Sequence, residues 1–92
     1  MRLTRRIRVH GHVQGVWFRD WTVREARDLG VDGWVRNRQD GTVEVLAAGE
    51  ADAVAELAER LRDGPPRARV ARLEIEEAEE TVAPGVARAP TK

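Results

Sequence analysis

The sequence predicts an α+β domain in which two helices lie on one face of a mainly antiparallel sheet, in the order β-α-β-β-α-β. Three observations lead there. Apolar residues alternate with polar ones in several short stretches, as strands with one buried face require. Two other stretches repeat their apolar residues at helical spacing. Glycine, proline or an Asp-Gly pair marks most junctions between them.

In the first strand Ile7, Val9, Gly11 and Val13 alternate with Arg6, Arg8, His10 and His12. A helix follows, with Phe18, Thr22, Ala26 and Leu29 on one stripe and Gly30 placed to end it. Gly33 to Arg38 and Thr42 to Ala47 flank the turn signal Gln39-Asp40-Gly41, which predicts a hairpin. Val54, Leu57, Ala58 and Leu61 mark a second helix from about residue 51, closed by Gly64-Pro65-Pro66. Ala71, Leu73 and Ile75 alternate in a further strand. These elements make one domain over residues 1–80. Residues 81–92 are poor in apolar side chains, so at most a short edge strand is expected near Val82 to Ala87, then disorder.

Ninety-two residues suffice for one core and not two. A composition of 41% hydrophobic and 35% charged residues suits a folded globular domain. There is no cysteine, which excludes disulfides, thiolate nucleophiles and cysteine-ligated metals. No apolar run has the length of a signal-peptide core or a membrane span, so the expected location is the cytoplasm. The formal net charge is zero, which argues against a general nucleic-acid binder. Residues 1–41 nevertheless hold nine arginines against five acids, and residues 42–92 hold seven basic residues against eleven acids. The positive half favours a small anion held locally over a long polyanion.

That half contains the turn Gln14-Gly15-Val16-Trp17-Phe18, between the end of a strand and the start of a helix. N–H groups in the first turn of a helix have no intrahelical partner, and the helix dipole adds partial positive charge there. Gly15 permits a positive φ, so that successive amides can face one point. Arg19, within the first helical turn, can fold its planar fork over the same point. Such a set would cradle a tetrahedral dianion. Taken alone, the stretch is served at least as well by an ordinary glycine turn and a solvated arginine. The glycine spacings of the P-loop and of the dinucleotide fold are both absent.

Asn37 is the second feature, where a strand gives way to the Asp40-Gly41 turn. Asparagine commonly serves turns through its own hydrogen bonds. It is also a neutral amide able to orient a water. In this element order the first and third strands usually lie side by side, which could bring the hairpin near the first turn.

Together the two stretches carry a specific resemblance. Gly11-His12-Val13-Gln14-Gly15-Val16-Trp17-Phe18-Arg19 resembles the first signature of the acylphosphatase family. Gly33-Trp34-Val35-Arg36-Asn37-Arg38-Gln39-Asp40-Gly41-Thr42-Val43 resembles its second. Thr22 and Leu29-Gly30 also look like the family's helix, and the similarity spans about residues 5–77. The resemblance implies a ferredoxin-like fold and hydrolysis of acyl phosphates to a carboxylate and inorganic phosphate. It places the catalytic arginine on Arg19, the catalytic asparagine on Asn37 and the phosphate-binding loop on Gln14, Gly15, Val16, Trp17, Phe18 and Arg19. It implies no metal and no cofactor, only a small-molecule acyl phosphate as substrate and inorganic phosphate as product. Charge and the lack of apolar runs argue against nucleic acid and membrane as partners, and nothing demands more than a monomer. The chain departs from the family at its end, where an aromatic-bearing last strand is usual and no aromatic follows Trp34.

This chemistry needs few groups. A carboxylic acid has a pKa near ~4, so the carboxylate leaves without a proton donor. Arginine stays protonated and serves only to stabilise charge. Phosphoryl transfer rests on positioning and on charge stabilisation at the equatorial oxygens. Arg19 and the loop amides are therefore expected on the phosphoryl oxygens, with Asn37 holding an in-line water.

Other residues have plainer roles. His10 and His12 share a strand face, yet two histidines without a third ligand beside Arg6 and Arg8 are poor evidence for a metal. Phe18 and Trp34 are read as packing residues. Trp17 and Trp21 either cap the core edge or wall the acyl group, with the core edge ahead. Two rival functions remain at this stage: an anion-binding module, including an accessory domain like those of hydrogenase-maturation proteins, and an RNA-binding sheet. The second would want stacking aromatics on the third strand, and Thr42 to Ala47 supplies none.

Overall fold

The computed structural model describes residues 1–92. Its elements are β1 (Arg2–His12), α1 (Phe18–Leu29), β2 (Asp32–Asn37), β3 (Val43–Glu50), α2 (Ala51–Asp63), β4 (Arg69–Glu77) and β5 (Val86–Arg88). The strands form one sheet in the order β4-β1-β3-β2-β5. Every neighbouring pair is antiparallel except β2 and β5, which run parallel. With both helices on one face, this is the ferredoxin-like α+β fold that the element order and the two motifs imply.

Packing follows from the two periodicities. Ile7, Val9, Val35, Val43, Val45 and Ala47 point from the sheet toward the helices and are buried. Phe18 and Ala26 of α1, and Val54, Leu57 and Leu61 of α2, close over them. Fully burying one such large side chain is worth about 1.5–3 kcal/mol, so these rows supply most of the drive to fold. Gly30 ends α1 in the left-handed conformation, its N–H within reach of the carbonyls of Ala26 and Arg27.

The alternation expected in β4 holds for Leu73 and Ile75 but not for Ala71. The pairing of β1 with β4 shifts between His10 and Gly11, so that Gly11 faces Val70 and Ala71 is left over as a bulge. Val70, not Ala71, packs on the core. Gly11 makes the close approach feasible, because a Cβ there would lie 2.1 Å from the Arg69 carbonyl oxygen.

The last strand is Val86–Arg88, beginning four residues later than the Val82 to Ala87 stretch named above, with Gly33 opposite Val86 and Val35 opposite Arg88. The backbone continues along β2 beyond it. Ala89 N–H donates to the Val35 carbonyl at 2.8 Å, and Lys92 N–H to that of Asn37 at 3.0 Å. No helix is long and apolar enough to cross a membrane.

The sheet's outer face explains much of the basic first half. Glu44 is buried there, and three guanidinium groups close on it: Arg6 at 3.2 Å, Arg36 at 2.8 Å and Arg38 at 3.0 Å. Burial pushes this carboxyl up, but its hydrogen bonds and charge interactions with Arg36 and Arg38 outweigh that and hold it below its ordinary value. Arg36 also stacks over the Trp34 ring at 4.4 Å. Several of the arginines that make the first half positive are thus engaged on this outer face, away from the turn after β1.

Candidate active site

Strand direction sets the site. β1 and β2 each run antiparallel to β3, which lies between them, so they are parallel to one another. Their C-terminal ends therefore reach the same edge of the sheet. The register places Val43 opposite both Val9 and Asn37, which brings Asn37 to the level of the turn that leaves β1. Asn37 follows Val35 by two residues, so its side chain lies on the helix side of the sheet, at the N-terminus of α1.

The turn is built to converge amides. Gly15 has φ 73° and Trp17 has φ 63°, while Val16 between them keeps a negative φ. Alternation of this kind points successive N–H groups at one concave spot, the arrangement known as an anion nest. Trp17 also occupies the N-cap position of α1, without any side-chain cap. No backbone amide from Gly15 to Asp20 is used in a hydrogen bond within the protein; Trp21 N–H, donating to the Trp17 carbonyl at 3.0 Å, is the first one engaged. A bulky residue in the left-handed region costs roughly 1–2 kcal/mol, and here that strain sits directly beside the unused amides.

A cleft of about 280 Å³ opens over this turn. Gly15, Trp17, Phe18, Arg19, Asn37 and Arg88 are among the residues that line it. Arg19 is part of no ion pair, unlike Arg6, Arg36 and Arg38. The Asn37 side-chain amide likewise makes no hydrogen bond within the protein, although its backbone is tied on both sides. A free cation, free amides and a free carboxamide therefore share one small opening.

Three of the six loop residues, Gln14, Val16 and Phe18, have side chains engaged in the fold. The Gln14 side chain does not line the cleft. Its amide donates instead to the carbonyls of Arg38 at 2.7 Å and Thr42 at 2.9 Å, bracing the turn against the hairpin. Val16 is buried in the core, as is the side chain of Phe18, so these contribute through their backbone. The hairpin is itself held by Asp40, which accepts from the Thr42 N–H at 2.9 Å and from its hydroxyl at 2.6 Å.

The tryptophans separate. Trp21 packs on the core and meets Phe18 edge to face at 5.5 Å, as the core-edge reading expects. Trp17 does not: it is 73% exposed and forms one wall of the cleft. Both histidines lie away from the cleft, and His10 bonds to Glu74 on β4.

Sequence reasoning missed Arg88 and Asp20. Arg88 enters the cleft because β5 pairs parallel with β2, and it donates to the Asp20 carboxylate at 2.9 Å. No local pattern marks Arg88; the edge strand on which it rides is only three residues long. Asp20 could have been suspected as an acid in the first turn of a helix.

Comparison with known proteins agrees with this geometry. The family model described as acylphosphatase matches residues 5–84. An acylphosphatase of Rhizorhabdus wittichii is 54% identical over 90 residues, covering 98% of this chain and 91% of that protein. Among solved structures, an acylphosphatase from Coxiella burnetii is 35% identical with a TM-score of 0.91, over 96% of this chain and 93% of its own. The acylphosphatase from Bacillus subtilis is 34% identical with a TM-score of 0.89, over 97% and 99%. With a matched family model spanning most of its length, relatives at this identity and a cleft of this composition, the chain belongs to the acylphosphatase family, hydrolases that act on acyl phosphates.

Proposed function

We propose that hydrolysis proceeds by direct, metal-free attack of water on a phosphoryl group held by Arg19 and the amides of Gly15 to Asp20. The observation that carries this reading is the meeting of Arg19 and Asn37, distant in sequence, in one cleft over amides that nothing in the protein uses. Arg19 and the amides bind the three equatorial oxygens and stabilise their charge. Asn37 orients the water in line with the bond to the acyl oxygen. As the water oxygen bonds to phosphorus, the phosphorus–oxygen bond to the acyl group breaks and its electron pair leaves with the carboxylate. The water proton ends on the inorganic phosphate. A preorganised donor of this kind is commonly worth about 3–4 kcal/mol of barrier.

Asp20 is the one carboxylate in the cleft, and Arg88 engages it. Arg88 thereby offsets a negative charge that would otherwise oppose the phosphate. Every group in this scheme belongs to a single copy of the chain, which supports a monomer as the working unit. On the outer sheet face Arg6, Arg36 and Arg38 are already paired with Glu44, which favours a small anion over a nucleic acid.

The test is hydrolysis of benzoyl phosphate, followed in the ultraviolet in the presence of a chelator, with a single turnover run in ¹⁸O-labelled water. Turnover with label in the released phosphate and none in benzoate is expected. Chelator-sensitive activity, or a trapped phosphoenzyme, would refute the mechanism.

A further inference from the structure

The cleft continues into a second groove of about 570 Å³ between α1 and β5. The two share Trp17, Asp20 and Arg88. Beyond that shared mouth the groove has an apolar floor that includes Val23 and Val86, and it carries Arg24 and Arg27. Asp20, Arg24 and Arg27 recur at helical spacing along one face of α1. From Asp20 to Arg27 the helix rises by roughly 10 Å, the length of a small organic acid beyond its phosphoryl group.

Three features of this groove bear on what it could hold. Neither Arg24 nor Arg27 belongs to an ion pair, whereas Arg60 and Arg62 on α2 are each engaged by acids. Trp17 exposes its indole at the junction, on a left-handed backbone. Arg88 is held at the same junction by Asp20.

We propose that this groove is the subsite for the acyl portion of the substrate, and that it selects monoacyl phosphates of dicarboxylic acids. The inference rests on the phosphoryl cradle described above. With phosphorus in the nest, the acyl group leaves the cleft past Trp17, whose flat apolar face accepts its carbon skeleton. A second carboxylate at the far end then meets Arg24 and Arg27, with Arg88 at the entrance. The cations are exposed, so their effect is moderate, salt-sensitive and strongest on encounter and binding. An uncharged acyl group fits the same groove without that attraction.

The experiment compares 4-carboxybenzoyl phosphate with benzoyl phosphate, on the wild-type chain and on an Arg24→Gln/Arg27→Gln double variant. In low salt the wild type should show a kcat/KM advantage of about tenfold for the carboxylated substrate, carried by KM. The double variant should lose most of that advantage, whereas Arg62→Gln on α2, outside the groove, should keep it. Raising the salt should erase the advantage in the wild type. Equal kcat/KM for both substrates in the wild type, or an advantage that survives in the double variant, overturns the subsite while leaving the phosphoryl cradle standing. Absence of hydrolysis of either substrate by the wild type overturns the cradle, and the subsite with it.

Discussion

The side chain of Gln14 reaches across the sheet edge and donates to the carbonyl of Arg38 at 2.7 Å. Arg38 directly follows Asn37, so this contact ties the phosphate turn to the residue proposed to hold water. A second bond from the same amide, to the Thr42 carbonyl at 2.9 Å, makes the brace two-sided. Gln14→Leu should therefore lower kcat by about fivefold, since a hydrogen bond of this kind is worth about 1 kcal/mol. Inhibition by inorganic phosphate should change little. A proportional loss of phosphate affinity would place Gln14 in the anion site instead.

Arg19 and Asn37 should fail in different ways. Arg19→Gln removes a donor present in ground and transition states, so phosphate inhibition and turnover fall together, turnover by about 10²–10³. Asn37→Ala should lose turnover on a similar scale while inorganic phosphate still competes normally. Product inhibition measured beside initial rates separates the two. Retained turnover in Asn37→Ala would remove its assigned role.

Gly15→Ala isolates the backbone contribution. A Cβ at this position meets no atom within 4 Å, so the substitution adds no clash and acts through φ 73° alone. A cost of about 1–2 kcal/mol is expected, and it should appear in chemical denaturation. Should the turn relax instead of bearing the strain, the melting point recovers and phosphate inhibition weakens, because the amides no longer converge.

Glu44 tests the outer face. Glu44→Ala leaves Arg6, Arg36 and Arg38 facing one another without their shared carboxylate, at an expected loss of about 3–5 kcal/mol. At about 4–8 °C per kcal/mol for a chain of this size, the melting point should fall by more than ~12 °C. A shift of a degree or two would show that the three guanidiniums find other partners.

The same residue gives stability a direction in pH. The folded Glu44 carboxyl lies below its ordinary value of 4.5: burial raises it, and the hydrogen bonds and charges of Arg36 and Arg38 lower it further. The folded state then binds fewer protons than the unfolded one. Its contribution is complete above 4.5 and disappears as pH falls through the lower folded value. Asp32, lowered by the Gly85 N–H and by Arg2, Asp40, lowered by the Thr42 hydroxyl and N–H, and Glu74, lowered by His10, act in the same sense. Urea unfolding of Glu44→Gln should show a shallower decline with acid than the wild type, with a residual slope from those three groups.

How much was legible can be argued from particular residues. The core of α1 was readable because Phe18, Thr22 and Ala26 repeat at helical spacing and Gly30 supplies the left-handed stop. The hairpin was readable from Asp40-Gly41, and its pairing follows as expected. Ala71 misled, because a two-residue period carries no sign of a bulge until Gly11 is seen against Arg69. Trp17 misled as well, since an exposed indole at a left-handed position obeys backbone demands that apolar patterning does not encode.

The sequence by itself determined the order of elements, the buried stripes and the two motifs that carry Arg19 and Asn37. These are local: they depend on spacing, turn chemistry and residue type. Tertiary structure alone decided which groups stay free to act. It used Arg6, Arg36 and Arg38 on Glu44 and left Arg19 unpaired. It set the Gln14 side chain as a brace on the hairpin, and it brought Arg88 beside Asp20 through a parallel strand pairing. The physical reason is that a charge's availability depends on its neighbours in space, and strand direction and register set those neighbours across stretches of chain that share no local pattern.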